Sequence, residues 1–187
     1  MQRRSFVSLS ISAGAFLFGG LGRTGEARAL GGDLPPIDQH APAFRLQGIR
    51  PGSEGELEKT ELALESFNGS WLVLYFYPRD FTSGCTLEAR GFQRDINKFR
   101  ALNAMVVGVS ADDADSHADF CGSEGLTYPL LSDPGGLVSK AYGSWLPPFS
   151  QRHTFLIDPS GTLRERWVAV RPAGHSAEVL AVLNELA

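Results

Sequence analysis

Cysteine is scarce in this sequence. Cys85 and Cys121 are the only two among 187 residues, which allows one disulfide, one redox pair or two independent thiols. They do not form a Cys-x-x-Cys, so the pattern used by thiol–disulfide oxidoreductases is missing. The four histidines, His40, His117, His153 and His175, show no metal-ligand spacing. No phosphate loop, dinucleotide fingerprint or haem motif occurs either, so neither a metal nor a cofactor is expected. Positive charge does not dominate: the net charge is −4, which leaves no basic footprint for nucleic acid. Internal repeats and low-complexity tracts are absent. The apolar stretch from Val7 to about Leu21 is short for a membrane span, and Ser8, Ser10 and Ser12 interrupt it.

What is present suits one globular domain with an appendage. Arg3-Arg4-Ser5-Phe6-Val7 is a twin-arginine pattern ahead of that apolar stretch, and Ala27-Arg28-Ala29 is a small-x-small cleavage site. Residues 1–29 are therefore expected to be an export signal, with the periplasm or a thylakoid lumen as destination. Residues 30–187 are expected to be the mature domain. Loss of the signal removes four arginines and one glutamate and moves the net charge to −7. No stable membrane association is expected after cleavage.

The chain is organised around residues 71–88. Trp71-Leu72-Val73-Leu74-Tyr75-Phe76 is an uncharged apolar run of strand length, the pattern of a strand buried on both faces. Pro78 closes it. Beyond Cys85, Phe92, Ile96 and Phe99 mark one apolar face of a helix, with Thr82 or Ser83 as its N-cap. Cys85 thus falls in the first turn of a helix that follows a central strand. Unpaired N–H groups and the helix dipole there favour a thiolate over a thiol, and the thiolate is the nucleophile. Thr82, one turn earlier, can face the sulfur or whatever the sulfur attacks. Position alone also allows a buried apolar Cys85 and a Thr82 that merely caps.

Elsewhere the signals are those of a layered α/β protein. A first short strand is expected near Ala41–Leu46, a polar turn over Arg50–Lys59 and a second strand over Thr60–Leu64. Ala104–Ser110 reads as a strand and Asp112 to about Gly122 as a helix with an acidic start. Tyr128–Leu131 reads as a short strand with Pro129 at its end, and Leu137–Tyr142 as a short helix. Trp145-Leu146-Pro147-Pro148-Phe149 is read as a rigid loop. Asp158-Pro159-Ser160-Gly161 joins two strands of a hairpin, and Ser176 opens a final amphipathic helix. Strands alternating with helices give a sheet covered on both faces.

Pro78-x-x-x-Thr82-x-x-Cys85 resembles the peroxidatic motif of the peroxiredoxins. The wider Tyr75-Phe76-Tyr77-Pro78…Gly84-Cys85-Thr86-x-Glu88 is similar to their PrxQ, or bacterioferritin-comigratory, branch, and Ala41-Pro42-Ala43-Phe44 resembles the family's opening. The resemblance implies a thioredoxin-like fold with a central mixed sheet. It implies a thiol peroxidase that reduces hydrogen peroxide and organic hydroperoxides through a sulfenic acid on Cys85. Arg152, three residues ahead of Phe155-Leu156-Ile157-Asp158, takes the place of the family's active-site arginine. Taken alone, it is a solvated strand-end residue. Glu88, one turn after Cys85, can hold Arg152 or simply lie on the surface. Thr82, the amides of the Gly84–Cys85 turn and Arg152 are the implied donors, while Tyr77 and Pro78 wall the pocket.

Two departures stand out. Arg90 occupies the place of the branch's usual second cysteine, and Ser83 replaces its usual proline. Another subset of the family places its resolving cysteine in the following helix, which implies that role for Cys121. The implied partners are a peroxide and a thioredoxin-type reductant, and the implied state is a monomer. Two other functions stay open: a thioredoxin-like oxidoreductase, which lacks its Cys-x-x-Cys, and a non-catalytic module with a structural Cys85–Cys121 disulfide.

Overall fold

The computed structural model describes residues 28–52 and 55–187. The proposed export signal lies outside them except for its last two residues. Arg28–Ala29 (β1) pairs with Gly32–Asp33 (β2) as a small hairpin, and Leu30 at its tip is exposed.

The remaining elements follow in order. They are β3 (Arg45–Pro51), β4 (Leu57–Ala63), a 3-10 turn at Leu64–Phe67, β5 (Trp71–Phe76), α1 (Ser83–Ala101), β6 (Ala104–Ser110), α2 (Ala114–Glu124) and β7 (Leu130–Ser132). Then come α3 (Leu137–Ala141), β8 (Trp145–Leu146), β9 (Phe149–Ser150), β10 (His153–Ile157), β11 (Leu163–Trp167) and α4 (His175–Leu186). Seven strands form one sheet in the order β11-β10-β5-β6-β7-β3-β4. β5, β6 and β7 run parallel, and the flanking pairs are antiparallel. This is the mixed sheet that the resemblance implies.

All six residues of β5 are buried, as the uncharged run predicts. On one face Tyr75, Phe92, Phe99, Phe120 and Leu183 join the sheet to α1, α2 and α4. On the other, Phe76, Tyr142, Phe155 and Phe67 pack with α3, the 3-10 turn and the N-terminal segment. Burying Phe92 and Phe99 completely contributes roughly 2–3 kcal/mol each. The helices cover both faces, and no helix among the described residues is long and apolar enough to cross a membrane.

Three local expectations change. The polar turn expected at Arg50–Lys59 narrows, because β3 runs to Pro51 and β4 starts at Leu57. Its polar residues belong to an outer ribbon, where Arg45 bonds Glu61 at 3.1 Å and Arg50 bonds Glu58 at 2.9 Å across the strands. The segment expected to be a rigid loop is a two-stranded hairpin, β8–β9, with the cis pair Pro147-Pro148 confined to its turn. α2 runs on to Glu124 rather than ending near Gly122. Gly125 caps it in the left-handed conformation, at φ 60°, which glycine adopts without penalty.

Topology gathers the functional loops at one end. β5 and β6 are parallel, so α1 and α2 both start beyond their carboxyl ends. β10 is antiparallel to β5, with His153 opposite Phe76, so the residue before β10 lies at that same end. That residue is Arg152.

Candidate active site

Cys85 is the third residue of α1 and is buried. Thr86 N donates to Thr82 O at 2.9 Å. The amides of Ser83, Gly84 and Cys85 therefore precede the helical ladder and contribute to the positive end of the dipole. Arg152 Nη2 donates to Cys85 Sγ at 3.2 Å, and Arg152 Nη1 donates to Glu88 Oε2. Two residues of one helix face, three apart, thus grip the two ends of a single guanidinium. Backbone packing fixes the arginine as well, since Val170 N donates to Arg152 O at 2.9 Å.

Glu88 is buried, and its Oε1 has no hydrogen-bond partner. Burial pushes its carboxyl up to about 7, and the Arg152 charge offsets only part of that rise. Burial works against the charge on Arg152, yet Glu88 and Cys85 beside it outweigh burial and hold the guanidinium above its ordinary value. The site is a thiol, a permanent cation and a carboxyl in one dry corner. Such a cation favours negative charge on sulfur and on an oxygen leaving from it.

Gly84 makes room for this arrangement. A Cβ there would stand 3.2 Å from Arg152 Nη2 and 3.8 Å from Pro172 Cγ. The lack of a side chain at position 84 lets the guanidinium lie across the helix start.

The other expected residues fall around this core with different roles. Thr82 is the N-cap residue, but its hydroxyl donates to Arg79 O at 3.0 Å and makes no bond to a helix amide or to Sγ. The hydroxyl is therefore turned to the loop rather than toward the sulfur. Tyr77 is buried and Pro78 half-buried beside the loop. The Tyr77 hydroxyl donates to Asp80 at 2.7 Å, so its polar end serves the loop too. Cys121 is buried in the last turn of α2 as a free thiol, and Cys85 is free as well. Burial and the nearby Asp80 push the Cys121 thiol up to about 12. His153 follows Arg152 but shares the opposite sheet face with Phe155, and its ring faces the Ala169 amide at 3.5 Å.

Asp80 itself was not marked by any sequence pattern. It is buried, and it accepts bonds from Tyr77, from Ser116 at 2.8 Å and from His117 at 2.9 Å. The one available signal was His117, which stands four residues before Cys121 on the same face of α2. Among the described residues no cluster of His, Cys, Asp and Glu side chains could hold a metal ion.

Comparison with known proteins agrees with this geometry. The model of the AhpC/TSA family matches residues 37–166. Peroxiredoxin Bcp of Xanthomonas campestris is 38% identical over 134 residues, covering 67% of this chain and 83% of that protein. Peroxiredoxin Bcp of Bacillus subtilis is 35% identical over 158 residues, covering 80% and 96%. The solved structure of Xanthomonas campestris peroxiredoxin Q superposes with a TM-score of 0.67 at 34% identity, covering 75% of this chain and 89% of that one. Its thioredoxin-like sheet with helices on both faces is the architecture described above. With a family model spanning the strand, the cysteine helix and the arginine strand, the chain belongs to the AhpC/TSA family, among the peroxiredoxins of the Bcp and Q type.

Proposed function

We propose that this chain is a thiol peroxidase whose nucleophile is Cys85. The observation that carries this is the hydrogen bond from Arg152 to Sγ at the start of α1. The thiolate attacks one peroxide oxygen, the O–O bond breaks, and the departing alkoxide or hydroxide takes a proton and leaves as alcohol or water. The sulfur keeps the other oxygen as a sulfenic acid. Arg152 and the first amides of α1 stabilise charge on both oxygens. Glu88 keeps the guanidinium on the sulfur. Tyr77, Pro78 and Gly84 shape the corner, and Thr82 holds the turn that leads into the helix.

Cys121 then resolves the sulfenic acid as an intramolecular disulfide, which a thioredoxin-type donor reduces. Two solved Xanthomonas campestris variants carry serine at one or the other of two cysteines, separated by the same 36 residues as Cys85 and Cys121. A solved structure of Xanthomonas campestris bacterioferritin comigratory protein, 33% identical, concerns that protein's alkyl peroxide reduction activity, which supports organic hydroperoxides as substrates. A Drosophila melanogaster relative, 38% identical over 158 residues, is named thioredoxin-dependent peroxide reductase, which supports the donor. The twin-arginine pattern supports export, and the domain is proposed to act as a monomer free of the membrane. Replacing Arg3 and Arg4 by lysine should leave the precursor in the cytoplasm. Normal export of that variant would point to a general secretory route.

Peroxide consumption with dithiothreitol as reductant tests the enzyme. Wild type should turn over and Cys85→Ser should not, since serine keeps the shape but cannot form a sulfenate. Equal turnover would place the nucleophile elsewhere.

A further inference from the structure

Asp80 lies five residues before Cys85, in the loop that joins β5 to α1. Its carboxylate is buried among partners from two segments. Oδ1 accepts the Tyr77 hydroxyl at 2.7 Å, from its own loop. Oδ2 accepts the Ser116 hydroxyl at 2.8 Å and bonds His117 Nδ1 at 2.9 Å, both from the first turn of α2. The Asp80 amide also donates to Asp112 Oδ2 at 2.9 Å, just ahead of α2. The neighbouring residue repeats the connection in apolar form. Phe81 is half-exposed at φ 58°, a strained value for a bulky side chain. Its ring meets the edge of Phe120 at 5.2 Å, one residue before Cys121. Apart from the Tyr77 bond, which stays within the loop, these contacts tie the Cys85 loop to the helix of Cys121 or to the turn that leads into it, and His117 Nε2 is left buried with no partner.

We propose that Asp80 is a positioning residue for the disulfide-forming step. Its carboxylate latches the Cys85 loop to α2, and release of the latch sets how fast Cys121 reaches the sulfenic acid. The inference rests on the roles proposed above for the two cysteines. In the step itself the Cys121 S–H and the Cys85 S–OH give one S–S bond and one water, with the thiol proton leaving on the hydroxyl. No outside oxidant enters. While the latch is closed, Cys121 is buried beside a carboxylate that disfavours its thiolate. Opening removes burial and carboxylate together, so access and nucleophilicity arrive in one motion. A tight latch gives slow resolution and leaves the sulfenic acid open to a second peroxide.

Ser116→Ala removes one strand of the latch and leaves the helix cap intact, because Asp113 caps through the Ser116 backbone amide at 2.9 Å. Asp80→Asn is the stronger variant. Each is mixed with one equivalent of hydrogen peroxide, and sulfenic acid and disulfide are quantified by rapid quench and mass spectrometry. Hydrogen exchange across α2 is followed in the reduced protein. Sulfenic acid should form at the wild-type rate in Ser116→Ala. Disulfide should form about fivefold faster there and about tenfold faster or more in Asp80→Asn, the scale of one lost buried hydrogen bond. Exchange across Ser116–Gly125 should quicken to match, and more peroxide should be needed for over-oxidation. Unchanged disulfide rates with unchanged exchange would overturn the latch. Slower disulfide formation would also overturn it, and would show that Asp80 and His117 assist the Cys121 sulfur directly. If wild type yields no Cys85–Cys121 disulfide, the assignment of the two cysteines fails, while quicker exchange in Ser116→Ala would still support the latch.

Discussion

The two cysteines sit about the same depth in the molecule, in one apolar cluster, yet their surroundings are opposite in sign. Cys85 opens a helix, at the positive end of its dipole, with the Arg152 guanidinium 3.2 Å from its sulfur. Cys121 closes a helix, at the negative end, with burial and the Asp80 carboxylate holding it as a thiol at neutral pH. Burial alone therefore does not decide what a thiol does. What differs between the two is the charge beside each sulfur, a guanidinium at Cys85 and a carboxylate near Cys121. One cysteine is built to attack from where it stands, and the other is kept inert until its helix opens.

Removing the second cysteine sharpens the contrast most. Cys121→Ser should complete one rapid peroxide turnover, then stall with thioredoxin-type donors and accumulate sulfinic acid on Cys85. Sustained wild-type turnover with such a donor would mean that an outside thiol resolves Cys85 directly. The next largest effect should come from removing the charge that distinguishes Cys85. Arg152→Met should lower kcat/KM for peroxide by about two to three orders of magnitude, the scale of one lost oxyanion-type donor. Normal turnover would reduce Arg152 to a packing residue.

Glu88 gives a smaller, pH-dependent effect. Its folded value, about 7, stands above the ordinary 4.5, so the folded protein prefers the protonated carboxyl. The corresponding stabilisation is complete below about pH 4.5 and is lost as pH rises through about 7. Thermal melts of wild type and Glu88→Gln at pH 5 and pH 8 should show wild type losing ground at the higher pH. The relative change should be on the order of 2 kcal/mol. A difference independent of pH would mean that Glu88 stays ionised throughout, fully paired with Arg152.

Much of this was legible in the chain because it is local. β5 announces itself as six apolar residues without charge, and the Pro78–Thr82–Cys85 spacing places the sulfur in a helix start. Arg152 became legible only through resemblance, because its contact with Cys85 spans 67 residues and depends on β10 running antiparallel to β5. Glu88 could be read equally as a surface residue; it is buried on the same face of α1 as Cys85 and Phe92, where it pairs with Arg152. The end of the ribbon β3–β4 nearest its turn, within Arg50–Lys59, reads as a turn rather than as strand because strands facing water carry polar pairs, not an apolar run. Asp80 left no trace in spacing at all, and His117 left only its place four residues before Cys121. They meet across a packed interface, where only tertiary structure makes a carboxylate and an imidazole neighbours.

The central claim is that the charge pattern selects Cys85 and not Cys121 as the first thiol to react. The most direct measurement treats reduced wild type with one equivalent of hydrogen peroxide in the presence of a sulfenic-acid-trapping dione, then maps the adduct by peptide mass spectrometry. The account predicts the adduct on the Cys85 peptide alone, forming in competition with the Cys85–Cys121 disulfide. An adduct on Cys121, or on both cysteines equally, would contradict it.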